Sequence, residues 1–181
     1  MTSKYDRAKR LEKEGELAAA AVLYTEDGFQ RLNRTNFEPN TTYRIGLATL
    51  IKAISIDARV GNRRRAVAVR DSVIALLDLA LVSDPSSDDV LEGLYREWIG
   101  DCYLLTRSEQ ADQQYMDALA IYSERSREEF LSWSMEQEFD YVLWAVQSFL
   151  DYKGVSDEQL PSLDFENRIE QKRQYVTEMC D

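Results

Sequence analysis

The stretch LEGLYREWIGDCYLLTRSEQADQQYMDALAIY, from Leu91 to Tyr122, decides the fold. Apolar residues recur in its first half at intervals of three or four, and the same spacing returns after a polar turn from Thr106 to Gln110. Residues at this spacing form one stripe along an α-helix. The stripes are Leu91, Tyr95, Trp98, Cys102 and Leu105, and then Ala111, Tyr115, Ala118 and Tyr122. Two stripes joined by a short turn predict two antiparallel helices in contact.

Small residues and tyrosines alternate along these two helices. Glycine and alanine leave room where helices cross, and the tyrosines fill the space opposite. The residues concerned are Gly100, Tyr103, Ala111, Tyr115 and Ala118. This pattern resembles that of a tetratricopeptide repeat. A second partial match near the N-terminus consists of Ala8, Leu11, Gly15, Ala20 and Tyr24.

Chain reversals recur at a regular interval. They are predicted at Gly15, Gly61, near Arg107 or Ser108, and at Gly154, which are 46 or 47 residues apart. This period predicts four helical hairpins in one domain, with approximate bounds 1–38, 39–85, 86–124 and 125–181. The long unit is similar to the extended hairpins of the soluble NSF attachment proteins, a tetratricopeptide-like group. The fold class is therefore all-α, a stack of antiparallel hairpins with about eight helices.

Periodicity and capping residues give the extents of the individual helices. The clearest run from Ser3 to Lys13, Leu17 to Leu32, Thr42 to Val60, and Arg63 to Val82. A capping-box pattern at Ser126 and Glu129 opens another helix that continues to about Tyr152. A weaker final helix carries Phe165, Ile169, Val176 and Met179.

The composition agrees with a helical protein. Of 181 residues, 44% are hydrophobic, and only seven are glycine and three proline. Asp78 interrupts the longest apolar run, and the N-terminus is too polar for a secretory signal. We therefore expect a soluble cytoplasmic protein that does not enter a membrane. The two cysteines, Cys102 and Cys180, suggest no disulfide framework.

Acidic residues exceed basic ones by 33 to 22, which gives a net charge of −11. This charge disfavours nucleic acid and anionic membranes as partners. Among the basic residues, 16 are arginine and only 6 are lysine. An acidic, lysine-poor surface is typical of a halophilic cytoplasm, although an ordinary acidic protein has a similar composition.

The sequence lacks the usual elements of catalysis. It contains no histidine, which removes most hydrolase triads, the common zinc sites and helical di-iron motifs. It contains no glycine-rich phosphate loop and no dinucleotide fingerprint. We expect no catalytic residue, metal or cofactor, and we interpret the chain as a non-enzymatic adaptor or scaffold for protein partners.

The resemblance to tetratricopeptide repeats implies where a partner segment would bind. In that family, ligands lie along the inner face made by the first helix of each pair. The matching positions here are Tyr5, Lys9 and Glu12 in the first hairpin, and Leu94, Glu97, Asp101 and Leu104 in the third. The resemblance therefore implies a groove for a protein or peptide.

A local basic cluster gives an alternative site. The five arginines between residues 59 and 70 have no acid among them: Arg59, Arg63, Arg64, Arg65 and Arg70. Three of them lie in the first turn of a predicted helix, where cations oppose the helix dipole. They either form salt bridges with acids such as Asp57 or bind an anionic ligand or nucleic acid. A homodimer formed through an exposed end of the stack is a further possibility.

Overall fold

The computed structural model describes residues 3–38, 40–83, 89–123 and 165–180. Helices are the only regular elements in these ranges. They are α1 (Lys4–Lys13), α2 (Leu17–Arg34), α3 (Thr41–Arg59), α4 (Arg63–Ser83), α5 (Asp89–Leu105), α6 (Gln110–Ser123) and α7 (Phe165–Met179). The all-α prediction is confirmed for this part of the chain, with seven helices where about eight were predicted. The helix predicted from Ser126 to about Tyr152 and the reversal at Gly154 lie outside the described residues.

Local capping determines where several helices begin, and the first four match their predicted extents within two residues. The Ser3 hydroxyl accepts a hydrogen bond of 3.0 Å from the Asp6 backbone N–H at the start of α1. The Asn40 side chain accepts one of 3.0 Å from the Tyr43 N–H at the start of α3. These side chains satisfy N–H groups that have no partner within their own helix.

Three helical reversals have the same backbone geometry. Gly15, Gly61 and Arg107 have positive φ angles of 83°, 75° and 57°, and they lie 46 residues apart. At each turn, the backbone N–H of the residue that follows donates a hydrogen bond to the carbonyl oxygen five residues earlier in the chain. These bonds run from Glu16 to Leu11 at 2.9 Å, from Asn62 to Asp57 at 2.8 Å, and from Ser108 to Tyr103 at 2.9 Å. This is the Schellman pattern that ends a helix and reverses the chain. The predicted positions of these three reversals are confirmed.

Each helix from α1 to α5 packs against the next one in the chain. In addition, α3 packs against α5, so the first helices of the second and third hairpins are also in contact. The last helix, α7, packs mainly against α5. This arrangement of packed helices is compatible with a helical repeat fold.

Glycines allow close approach at two crossings. A Cβ atom at Gly28 of α2 would lie 2.6 Å from Leu50 Cγ of α3. At the crossing of α5 and α6, a Cβ at Gly100 would lie 2.6 Å from Tyr115 Cε1. The predicted match of a small residue on one helix with a tyrosine on the other is therefore confirmed. The apolar stripe of α5, including the fully buried Trp98, forms part of the main core.

Candidate functional site

The helix α7 lies on the face formed by the first helices of the second and third hairpins. On α3 it meets Ser55, whose hydroxyl is 2.8 Å from the Tyr175 hydroxyl. On α5 it meets Glu97 and Asp101, and Leu104 packs with the cluster that contains Ile169. We call the set Ser55, Glu97, Asp101 and Leu104 the docking face.

A lysine from α7 inserts between two acids of α5. Glu97 and Asp101 lie four residues apart and therefore share one face of the helix. Lys172 Nζ lies 2.7 Å from Glu97 Oε1, 2.7 Å from Asp101 Oδ1 and 2.9 Å from Asp101 Oδ2. The three hydrogens of the ammonium group thus have three carboxylate oxygens as acceptors. We call Glu97 and Asp101 the acid pair.

This cluster is completely buried. The exposed fractions of Lys172, Glu97 and Asp101 are 1%, 2% and 0%. Lysine and acidic residues are almost never buried to this extent unless they are paired. The Tyr115 hydroxyl donates a further hydrogen bond of 2.8 Å to Asp101 Oδ1.

The surroundings of Asp101 shift its pKa. Burial raises the pKa of Asp101, and the negative charge of Glu97 adds to this effect, whereas Lys172 and Tyr115 oppose it. Burial and the adjacent carboxyl also raise the pKa of the Tyr115 hydroxyl well above its ordinary value. The charged form of Asp101 is therefore opposed by its burial and by Glu97, and stabilised by Lys172 and Tyr115.

Among residues 169–180, where burial is described, the buried residues of α7 form a single stripe that includes Lys172. They are Ile169, Lys172, Tyr175, Val176 and, just past the helix, Cys180. The opposite side of α7 is exposed, although Arg173 there forms a 2.8 Å ion pair with Asp112 of α6. The sequence analysis identified this helix but missed Lys172. The available signal was a lone lysine flanked by apolar residues at helical spacing in a lysine-poor chain.

Arg107 connects the third turn to the end of α7. Its guanidinium Nη2 donates a 2.5 Å hydrogen bond to the backbone carbonyl of Cys180. A cation at this position satisfies a terminal carbonyl and complements the helix dipole. The equivalent turns have Gly15 and Gly61, which adopt a positive φ without the steric cost that a side chain brings. The residue with the strained backbone, Arg107, is therefore also the residue whose side chain binds the end of α7.

The groove residues predicted in the first hairpin lie near a second contact between an acid and a lysine, the ion pair of Glu12 and Lys52. Glu12 accepts a 2.8 Å hydrogen bond from the Tyr24 hydroxyl and forms a 3.1 Å ion pair with Lys52 of α3. Tyr5 packs edge to face on Tyr24 at 5.4 Å between ring centroids. Lys9 is exposed. These contacts join α1 to α2 and α3.

The groove residues predicted in the third hairpin are mostly covered in this structure. Glu97 and Asp101 lie beneath α7, Leu94 is buried in the main core, and Leu104 is half-buried. The structure therefore brings Glu97, Asp101 and Leu104 together on one surface. The helix that lies on that surface belongs to the chain itself.

The predicted arginine cluster divides into bound and exposed members. Arg65 binds Asp57, which is fully buried, through two hydrogen bonds, one of them 2.7 Å from Nε to Oδ2. The predicted salt bridge to Asp57 is confirmed.

The other arginines of the cluster differ in exposure and in their contacts. Arg70 donates hydrogen bonds to Asp71 and, at 3.0 Å, to Thr106. Arg59 is half-buried, and Arg63 and Arg64 are exposed. Arg63 lies at the edge of a small pocket whose other lining residues are Ala58, Ala66, Val67, Leu105, Thr106, Arg107 and Cys180.

No protein-family model, curated protein or solved structure matches the chain. Among the residues that the structure describes, no helix is long and apolar enough to cross a membrane. Within the same residues, no group of three or more acidic or cysteine side chains has the arrangement of a metal site. The cytoplasmic location and the adaptation to high salt stay predictions.

Proposed function

We propose that the protein is a non-enzymatic adaptor of the tetratricopeptide-like kind, which binds a helical segment of a protein partner on its docking face. One observation carries the proposal: α7 already lies on this face and buries one side of a helix against it. A groove that accepts an amphipathic helix is a common mode of peptide recognition.

The chemistry of the cluster supports attachment of a helix and not turnover of a substrate. Buried groups with shifted pKa values are candidates for catalysis when they line a cleft. Here Lys172 has three acceptors, and the Tyr115 hydroxyl is bonded to Asp101. All of these side chains are buried, so the cluster fixes one helix to another.

Site-specific photo-crosslinking tests the adaptor proposal. Lys9 is exposed and lies one helical turn from Glu12, which binds Lys52 of α3. Lys52 is in turn one helical turn from Ser55 of the docking face, so a benzoylphenylalanine at position 9 reports on a partner segment that extends from that face to α1. The matched control carries the same group at Leu79, which is 54% exposed on α4. Each full-length protein is illuminated in a lysate of the source cell, and the products are identified by mass spectrometry.

We expect a discrete protein to cross-link at position 9 and not at position 79. A product that a fivefold excess of unmodified protein removes would support saturable binding at the inner face. Identical products at both positions would overturn the proposal.

The second candidate function is binding of an anionic ligand or nucleic acid near Arg63. The observation that favours it is the small pocket beside this exposed arginine, where Arg107 is also present. Its test is reversal of Arg63 and Arg64 to glutamate, with retention of inorganic phosphate and of single-stranded DNA measured at low and high salt. Equal retention by both proteins would remove this candidate.

Homodimer formation stays a separate prediction, which sedimentation at several concentrations tests.

A further inference from the structure

A small cavity lies where the second and third hairpins meet. Its volume is about 90 Å³, and its lining comes from three parts of the chain. These parts are the end of α3 with the start of α4, the end of α5 with the turn that follows it, and Cys180 after α7. No residue of the docking face lines the cavity, so it is a separate feature of the molecule.

Most of the lining residues are apolar. Ala58, Ala66 and Leu105 are buried, and Val67 is half-buried. Such a surface favours contact with hydrocarbon over contact with a hydrated ion. An apolar cavity of about 150 Å³ accommodates a benzene ring. By the same measure, this cavity accommodates a chain of about three or four carbon atoms.

A cation without a described counter-ion lies at the edge of the cavity. In the same cluster, Arg65 and Arg70 form ion pairs with Asp57 and Asp71. Arg63 is exposed and forms no ion pair within the described part of the chain. The lining itself contains no acidic residue. The guanidinium of Arg63 is therefore available to bind an oxyanion through two parallel hydrogen bonds.

The position of Arg63 in its helix also favours an anion. Arg63 is the first residue of α4, where a cation opposes the helix dipole. An anion bound there compensates the guanidinium and interacts favourably with the start of the helix. The neighbouring Arg64 is exposed in the same turn but does not line the cavity. The two arginines thus differ in whether an apolar cavity lies beside them.

We propose that this cavity binds a small aliphatic carboxylate, with the carboxylate group on Arg63 and a chain of about three or four carbons against Val67 and Leu105. The inference rests on the second candidate function, whose ligand it specifies, and it does not depend on the adaptor function. A nucleic-acid base is larger than the cavity, and inorganic phosphate has no chain to fill it. The combination of one cation with an apolar cavity therefore favours a carboxylate with a short chain.

The bound carboxylate would connect two hairpins. Arg63 and Val67 belong to the second hairpin, and Leu105 belongs to the third. Arg107 keeps its hydrogen bond to the Cys180 carbonyl in this arrangement and adds positive potential beside the cavity. A ligand that binds only the folded protein shifts the equilibrium toward the folded state. The carboxylate thus stabilises the packing of the second hairpin on the third.

Saturation-transfer NMR on the full-length protein measures the binding directly. The probe is butyrate, whose propyl chain has the size of the cavity, and butyramide is the matched neutral control. We expect a signal from the butyrate methyl protons at about 1–10 mM, since a ligand of this size binds weakly. The butyramide signal should be at least about fivefold weaker, because the amide lacks the charged contact to Arg63. Inorganic phosphate should displace butyrate poorly.

Two arginine variants separate a specific site from an effect of net charge. Arg63→Gln should decrease the butyrate signal at least about fivefold, whereas Arg64→Gln should leave it unchanged. Both variants lose one positive charge from the same exposed turn of α4. A third variant, Val67→Phe, fills the cavity and leaves Arg63 in place. It should decrease the butyrate signal as much as Arg63→Gln does.

Labelling of the two cysteines locates the ligand and controls for folding. Cys180 lines the cavity and is 7% exposed, whereas Cys102 is fully buried in the main core. Labelling with a maleimide, followed by mass spectrometry of the peptides, measures both rates. Saturating butyrate should slow the labelling of Cys180 at least about threefold in the wild type and not in the Arg63→Gln protein. Cys102 should stay protected in every variant, because each substituted residue is exposed or half-buried.

Equal signals from butyrate and butyramide would overturn the inference, as would equal butyrate signals in the Arg63→Gln and Arg64→Gln proteins. Phosphate that displaces butyrate at equal concentration would overturn it as well. Retention of phosphate or DNA that depends on Arg63 and Arg64, without any butyrate signal, would refute this ligand and leave the second candidate function standing. A butyrate signal without a cross-link at position 9 would support the inference and count against the adaptor function alone.

Discussion

Two buried ion clusters use the same kinds of side chain and differ in what they connect. Asp57 and Arg65 belong to adjacent helices of one hairpin, and the pair consists of one negative and one positive group. The acid pair and Lys172 belong to helices whose charged residues are more than 70 positions apart, and Lys172 binds both acids. The first cluster joins the two helices of one hairpin, whereas the second joins α7 to a helix that lies far away in the sequence.

The comparison also explains the arginines at the start of α4. A cation in the first turn of a helix and an acid in the last turn of another both oppose their helix dipoles. Arg65 and Asp57 occupy such positions on either side of the Gly61 turn. Because each compensates the other, the second hairpin tolerates both. Lys172 lies in the middle of α7, so its placement depends on the acid pair and not on a helix end.

The largest expected effect is that of Lys172→Met. The change removes the ammonium group that binds two buried carboxyl groups, and breaking a buried ion pair in this way costs about 3–5 kcal/mol. Hydrogen exchange should show this loss in the amides of α7. Adding Glu97→Gln and Asp101→Asn to the same protein should restore most of the protection, since neutral amides tolerate burial without an ammonium group. Protection that stays lost in the triple variant would show that apolar packing, and not charge, holds α7.

The second effect in size is that of Asp57→Asn, which replaces a charged pair of hydrogen bonds with a weaker contact. A hydrogen bond to a charged group contributes about 1.5–3 kcal/mol, and Arg65 is partly exposed, so water compensates part of the loss. We expect a decrease of about 2 kcal/mol in the free energy of unfolding, measured with urea. The loss should affect the whole fold, with Cys102 and Cys180 exposed together. Exposure of Cys180 alone would contradict the distinction between the clusters.

Local signals made most of the fold predictable. The turns at Gly15 and Gly61 and the apolar stripes depend on residues close together in sequence, and all lie where predicted. A salt bridge from the clustered arginines to an acid such as Asp57 was one of two alternatives in the sequence analysis, and Arg65 forms it, whereas the full burial of Asp57 was not predicted. These features follow from capping, periodicity and charge within one or two helical turns.

The occupant of the docking face was not predictable in this way. Glu97 and Asp101 were assigned to an inner face by resemblance, but their position in an apolar helix gave no sign of a cation 71 residues or more away. In the sequence of α7, Lys172 interrupts a weak apolar stripe. Only the three-dimensional contact shows that a charged residue occupies the centre of a buried surface.

The cluster that contains Asp101 makes the stability of the protein depend on pH. The pKa of Asp101 is raised in the folded protein, so the folded state retains this proton more firmly than the unfolded state. This contribution to stability is complete below the ordinary aspartate value of 3.8 and is lost as pH rises through the raised pKa.

In urea titrations at a series of pH values from 4 to 8, Asp101→Asn should remove this decline and make the curve flatter than that of wild type. The groups that face it, Glu97, Lys172 and Tyr115, remain in place. Asp78→Asn on the exposed side of α4 is the matched control and should leave the decline unchanged. Parallel curves for wild type and Asp101→Asn would contradict the assignment.

The smallest effect is expected at Arg64, the neighbour of Arg65 in the first turn of α4. Arg64 is exposed, whereas Arg65 binds the buried Asp57 and also donates a 3.2 Å hydrogen bond to the Ala18 carbonyl of α2. Arg64→Glu should change the free energy of unfolding by no more than about 0.5 kcal/mol, because exposed substitutions away from specific contacts have small effects. An acid in the first turn also interacts favourably with the helix dipole.

Arg65→Glu places two acids together at a buried position and should destabilise the protein several times more. Similar urea midpoints for the two variants would mean that Arg65 has no special part in the hairpin, and the contrast between the two clusters would then rest on Lys172 alone.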